Sequence, residues 1–107
     1  NQIRDFCYID DTIEAILLSL KSKYSKGEIL NVGSGIPVKI SEIINKVNKK
    51  IGKGIPLFGK IKLRKHENLN LYSDISKIKK LINWEPRINI EEGLDRTIIY
   101  YKNNYER

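Results

Sequence analysis

The stretch DISKIKKLINWEPRINIEEGL, residues 74–94, decides the fold. Ile75, Ile78 and Ile82 recur three and four residues apart, the spacing of one apolar face of an α-helix. Asp74 stands where the N-cap of that helix belongs. Trp84-Glu85-Pro86 ends the pattern, because proline disfavours a helical conformation at the residue before it. Asn89 followed by Glu92 then predicts the cap of a further helix, with Leu94, Ile98, Tyr101 and Tyr105 as its apolar stripe.

Towards the N-terminus the pattern changes repeatedly. Residues 60–72 are basic and irregular, and IPLF (55–58) reads as a short strand. Ile40, Ile43, Ile44, Val47 and Ile51 predict a helix stopped near Gly52 and Gly54. EILNV (28–32) reads as a strand running into a GSGIP turn. DDTIEAILLSLKSKY predicts a helix with Ile13, Ile16, Leu17 and Leu20 as its stripe, Asp11 and Glu14 as a capping box, and Lys21 and Lys23 at its negative end. DFCYI (5–9) reads as a first strand. The order is β-α-β-α-β-loop-α-α, an α/β, mixed α+β arrangement of few short strands and about four helices over residues 1–107. Three short strands make a poor independent sheet. The expectation is a piece that leans on another sheet and leaves an apolar face exposed where that partner docks.

Composition sets the outer bounds. A chain of 107 residues with 40% hydrophobic and 31% charged residues is one folded domain or a piece of one. Cys7 stands alone, which excludes an internal disulfide, a CxxC motif and a cysteine zinc cluster. No apolar run reaches the roughly 18 to 20 residues of a membrane span, and a cytoplasmic setting is expected. The net charge of +7 suits an anionic partner. The lysines are spread over the polar faces of the predicted helices, which reads as a solvated surface. A small basic nucleic-acid-binding module is the rival reading.

Few residues offer chemistry. His66 is the only histidine and has no metal-ligating companion. Ser34 lacks the GxSxG spacing of a nucleophile elbow, and NVGSG lacks the GK[ST] of a phosphate loop. The Gly33-Ser34-Gly35 turn is either a tight connection or a set of N–H groups offered to an anion. Arg4 and Arg64 are candidates because a guanidinium grips phosphate bidentately. Glu67, three residues after Arg64, has the acceptors for a ribose diol. From spacing alone, a surface ion pair is the better explanation of each of them.

The blocks RDFCYIDDTIEAI, ILNVGSG and FGKIKLRKHENLNLYSDISKIKKLINWEPRINIEEGLDRTI, in that order, resemble the C-terminal part of the NAD-dependent epimerase/dehydratase family. These are extended short-chain dehydrogenase/reductases that act on nucleotide sugars. The resemblance runs from about Arg4 to Lys102 and implies the C-terminal, substrate-binding part of a Rossmann-type enzyme. It implies that Arg4 and Arg64 contact the diphosphate of the substrate and that Glu67 holds its ribose. Many members carry Arg-Pro-Gly-Asp where this chain has Arg64-Lys65-His66-Glu67, which keeps the functional types and loses the Pro-Gly pair. Asp5, Asp10, Asp74, Trp84 and Pro86 are read as framework positions. The GxxGxxG turn and the Tyr-x-x-x-Lys pair of the family do not occur in this sequence. The resemblance therefore implies NAD or NADP in the full-length protein, with none bound by this fragment, which alone is expected to be catalytically inactive. It implies a nucleotide-diphosphate sugar and the N-terminal Rossmann domain as partners, with a homodimer as an option and neither membrane nor nucleic acid among them. Within the family, a nucleotide-sugar reductase is the alternative to an epimerase or dehydratase.

Overall fold

β1 (Ile3–Arg4) is only two residues long, yet both of its edges are used. On one side it pairs antiparallel with β2 (Val38–Lys39), Ile3 opposite Lys39 and Arg4 opposite Val38. The Ile40 N–H continues that side by donating to the Gln2 carbonyl at 2.9 Å. On the other side Ile3 donates to the Leu69 carbonyl at 2.7 Å and accepts from the Leu71 N–H at 3.1 Å, a parallel bridge to Asn70. A chain segment more than sixty residues away is thereby laid against residues 2–5. The computed structural model that shows this describes residues 1–105.

Four helices surround this short sheet: α1 (Ile9–Lys21), α2 (Ile40–Ile51), α3 (Ser76–Ile82) and α4 (Ile90–Tyr105). A single 3₁₀ turn, Lys23–Ser25, follows α1. The fold class expected from the sequence holds, as a small mixed α/β arrangement of four helices and a two-stranded sheet. The strand positions do not. Among the described residues 5–9, 28–32 and 55–58 form no ladder, and Ile9 already belongs to α1. A strand is half of a hydrogen-bonded pair, so an apolar extended segment without a neighbour remains unladdered. Residues 3–4 and 38–39 are strands because they find each other.

The helix boundaries show which local signals were decisive. Gly52 ends α2 in the left-handed region at φ 73°, and Asn83 ends α3 there at φ 53°, one residue before the expected break at Trp84. Asn89 caps α4 as expected, its Oδ1 accepting from the Glu92 N–H at 3.0 Å. For α3 the N-cap is Ile75 rather than Asp74, which sits one residue earlier and accepts from the Ser76 N–H at 2.9 Å. The capping box of α1 is not formed. Tyr8 is the N-cap, without a side-chain hydrogen bond. Asp11 instead is buried, its Oδ2 accepting from the Ile88 N–H at 3.0 Å and its carbonyl from the Trp84 indole at 3.1 Å. A tertiary use of this carboxylate has overridden the local one, and it ties α1 to the turn before α4.

The fully buried core is small: Ala15, Ile78 and Trp84, with Leu18, Leu30, Val32, Ile75 and Ile82 packed around them. The helical spacing of Ile75, Ile78 and Ile82 is thus borne out. For α1 the helix is where expected but its inward face is not. Asp11, Ala15 and Leu18 face the core, while Ile13, Ile16, Leu17 and Leu20 are 46–78% exposed. An exposed apolar stripe beside a packed one means that α1 has two apolar sides and this chain covers only one.

The overall dimensions say the same. The chain is a slab of 48 × 38 × 18 Å with a radius of gyration of 16.5 Å, against about 13 Å for a self-contained domain of this length. Its accessible surface is 8733 Å², against roughly 6,200 Å² for a monomer of 12.5 kDa. Residues 28–32 and α1 border an open groove of about 700 Å³, lined by Ala15, Ile16, Leu20, Leu30 and Val32 among others.

Candidate functional site

Because β1 is sandwiched, the residues on either side of Ile3 meet both neighbouring segments. Arg4 and Asp5 follow one another and go to opposite uses. Asp5 turns to the loop after residue 32. Its carboxylate accepts from the Ser34 N–H at 2.7 Å, the Ser34 hydroxyl at 2.6 Å, the Gly35 N–H at 3.0 Å and the Ser73 N–H at 3.1 Å. Partial burial alone would raise the pKa of this carboxyl. The Ser34 hydroxyl and the N–H groups of Ser34, Ser73 and Gly35 outweigh it, and the pKa is held below the ordinary 3.8. The Gly33-Ser34-Gly35 turn therefore does receive an anion, and the anion is the protein's own. Gly33 is required by closeness: a Cβ there would lie 2.5 Å from Ser73 Oγ and 2.6 Å from Asp5 Oδ2. Asp5 is a framework residue, as the sequence suggested, though it pins three segments rather than capping a helix.

Arg4 turns the other way, to the basic loop. Its Nη2 pairs with Glu67 Oε1 at 3.1 Å, while Nη1 donates to the Ile3 carbonyl at 2.8 Å and, more weakly, to that of Leu69 at 3.4 Å. The two side chains are 23% and 26% exposed, so this is a half-buried pair rather than a solvated surface one. Of the five N–H donors of a guanidinium, Nε and one on Nη2 have no partner among the described residues. These two nitrogens lie on one side of the guanidinium and keep hydrogens available for phosphate oxygens. Arg4 also borders a cleft of about 490 Å³ lined by Asn31, Val32, Gly33, Tyr72 and Ser73.

Glu67 is held from both sides. Oε1 also accepts from the Gln2 side-chain amide at 2.5 Å, and Oε2 from the Arg64 N–H at 3.2 Å. The Glu67 N–H returns to the Arg64 carbonyl at 3.2 Å, closing a tight turn over Lys65 and His66. His66 sits at φ 64°, the left-handed conformation that glycine adopts most easily. The turn thus survives without the Pro-Gly pair. The structure brings Arg4 and Glu67 into contact and places the Arg64 backbone against Glu67. The Arg64 side chain is exposed and joins no ion pair among the described residues.

Gln2 was missed by the sequence reading. Its signal was strand alternation: Gln2 and Arg4 are two apart, the spacing that puts side chains on one face of an extended chain. Four of the eight lysines in the helices pair with acids among the described residues, Lys46 and Lys50 with Glu91 and Asp95, Lys77 with Glu28 and Lys79 with Glu85. No group of His, Cys, Asp and Glu able to hold a metal ion occurs among the described residues. No helix of these residues is long and apolar enough to cross a membrane.

These features are those of a known family. The family model described as GDP-mannose 4,6 dehydratase matches residues 1–97. UDP-glucuronate 4-epimerase of Thermodesulfobacterium geofontis is 43% identical over 114 residues, covering 98% of this chain and 32% of that protein. An epimerase of Methanothermobacter thermautotrophicus superposes with a TM-score of 0.85 at 24% identity, over 98% of this chain and 31% of that one, and shows the shared fold. UDP-glucuronic acid 4-epimerase of Bacillus cereus, solved in complex with NAD, has a TM-score of 0.75 at 30% identity, over 97% of this chain and 32% of that one. The chain belongs to the NAD-dependent epimerase/dehydratase family, and corresponds to its C-terminal part. It spans about a third of the length of the curated relatives it matches. The residues present do not fit the cofactor of that family. The Gly33-Ser34-Gly35 turn that follows the extended segment 28–32 has the Ser34 and Gly35 N–H groups directed to Asp5 rather than open to a pyrophosphate.

Proposed function

We propose that this chain is the substrate-binding portion of an NAD(P)-dependent nucleotide-sugar epimerase or dehydratase, and that it grips the nucleoside diphosphate of the substrate. The observation that carries the reading is the half-buried Arg4–Glu67 pair closed by the Arg64 turn. One edge of Arg4 and the guanidinium of Arg64 are cationic donors for the diphosphate. Glu67 supplies acceptors for the ribose hydroxyls. The cofactor and the proton-transferring residues belong to a Rossmann half outside these residues, and no chemical step is assigned to this chain. That half docks on the exposed stripe of α1 and on residues 28–32, which would then add to its sheet. The slab shape, the surplus surface and the two-sided α1 support this docking.

Pairing of Lys46, Lys50, Lys77 and Lys79 with neighbouring acids leaves fewer free cations for a nucleic-acid polymer and favours a small anionic ligand. A UDP-sugar is the first substrate class to try, given the names of the relatives. Calorimetry with UDP, CDP, GDP and dTDP on the chain and on Arg64→Ala is the test. We expect UDP to bind, and the variant to bind it about tenfold more weakly, the order of one charge-assisted contact. Equal binding by both, or none by the unaltered chain, sinks the reading.

A further inference from the structure

We propose that Gln2 is a positioning residue for Glu67, holding its carboxylate for the ribose diol while Arg4 serves the diphosphate. The inference rests on the reading of Glu67 given above.

Two donors from residues 2–4 meet at Oε1 of Glu67: the Gln2 amide at 2.5 Å and Arg4 Nη2 at 3.1 Å. They differ in what else is asked of them. Arg4 is cationic and already shares Nη1 with the Ile3 and Leu69 carbonyls. A diphosphate arriving at its open edge competes with Glu67 for the same positive charge. Gln2 is neutral, so the diphosphate has no comparable claim on it. When Arg4 shifts towards phosphate, Gln2, just before β1, is the side chain that still holds Oε1, while the Arg64 N–H holds Oε2. The direction of the bond is fixed by chemistry, since a carboxylate accepts and only the amide nitrogen of glutamine can donate.

Gln2 is itself well anchored for this task. Its carbonyl accepts from the Ile40 N–H at 2.9 Å, which fixes its backbone at the start of the sheet. An ionised carboxylate has about four acceptor sites, and the donors from Gln2, Arg4 and Arg64 occupy three of them. A glutamate held in this way meets a diol without first surrendering the rotamer freedom of a long side chain, a cost of order 1 kcal/mol.

The test compares UDP with 2′,3′-dideoxyuridine diphosphate, which keeps the diphosphate and lacks the diol, on the full chain. The unaltered chain is expected to prefer UDP about tenfold. Glu67→Gln should lower that preference, which tests the reading of Glu67 itself. Gln2→Ala and Gln2→Met, the latter neutral, of similar length and unable to donate, should each shrink the preference about fivefold and leave dideoxyuridine diphosphate affinity unchanged. An unchanged preference in both Gln2 variants overturns the inference while leaving Glu67 its role. So does an equal loss for both ligands, the mark of a merely structural residue. A chain that binds neither nucleotide, or shows no preference, removes the reading of Glu67 and this inference with it, and the unaltered chain alone reveals that case.

Discussion

Asp5 and Glu67 are two carboxylates on either side of the same two-residue strand, and they are employed in opposite ways. Asp5 is enclosed by backbone: three N–H groups and one hydroxyl converge on it, and Gly33 is stripped of a side chain to let them. Glu67 is met by two side chains and by the N–H of its own turn, on the edge of a loop that is largely exposed. Backbone donors cannot swing away, so the Asp5 corner is a fixed joint. Side-chain donors can be exchanged, so the Glu67 edge is a place where a ligand can enter. The difference teaches that a bound carboxylate signals a site only when its partners are replaceable.

Removing Asp5 should break that contrast most severely. Asp5→Ala leaves the N–H groups of Ser34, Gly35 and Ser73 without their acceptor, and charge-assisted bonds of this kind are worth about 1.5–3 kcal/mol each. We expect a loss of about 3 kcal/mol or more in urea unfolding, enough to unfold a chain with so small a core. Gly33→Ala should do comparable damage by steric conflict. Glu67→Ala should cost within about 1 kcal/mol, the scale of a partly exposed pair. Equal losses from Asp5→Ala and Glu67→Ala erase the distinction.

Acidification sharpens it next. The folded-state pKa of Asp5 lies below the ordinary value of 3.8. Its contribution is therefore complete above the unfolded value and is lost as pH falls through the lower, folded one. Thermal unfolding followed from pH 5 downward should show a falling limb below pH 3.8, and Asp5→Asn should flatten that limb. A limb of the same depth in the Asn variant assigns it to other carboxylates.

The smallest effect belongs to the turn that carries Glu67. His66 lies at φ 64°, where an L-residue costs roughly 1 kcal/mol and glycine much less. His66→Gly should stabilise the chain by up to about 1 kcal/mol, reduced by the freedom glycine gains in the unfolded state. A loss of stability would mean that the imidazole makes a contact that matters more than the backbone strain.

Much of this molecule was legible in the sequence, and the failures share a cause. Helix spacing located all four helices, and the Gly52 and Asn89 boundaries fell where local chemistry put them. The Arg4, Arg64 and Glu67 candidates came from residue chemistry and a family resemblance, and spacing did not show that Arg4 would touch Glu67. The three strands failed because strand formation depends on a neighbour, and ILNV is a good strand sequence with none among the described residues. The Asp11 cap failed for the complementary reason: a distant Ile88 N–H and Trp84 indole supplied a better use for that turn of helix. Gln2 went unnoticed because an amide carries no charge to attract attention.

The tie from Asp11 to Trp84 and Ile88 spans 73 and 77 residues, and it has a consequence in time. Ribosomes add about 5–20 residues per second, so α1 waits on the order of 4–15 s for the partners that bury Asp11 and Ala15. The loop that must close is long, though its entropy grows only with the logarithm of its length. Until then the Ala15 and Leu18 side of α1 stands uncovered, and apolar surface exposed in this way is what holdase chaperones bind.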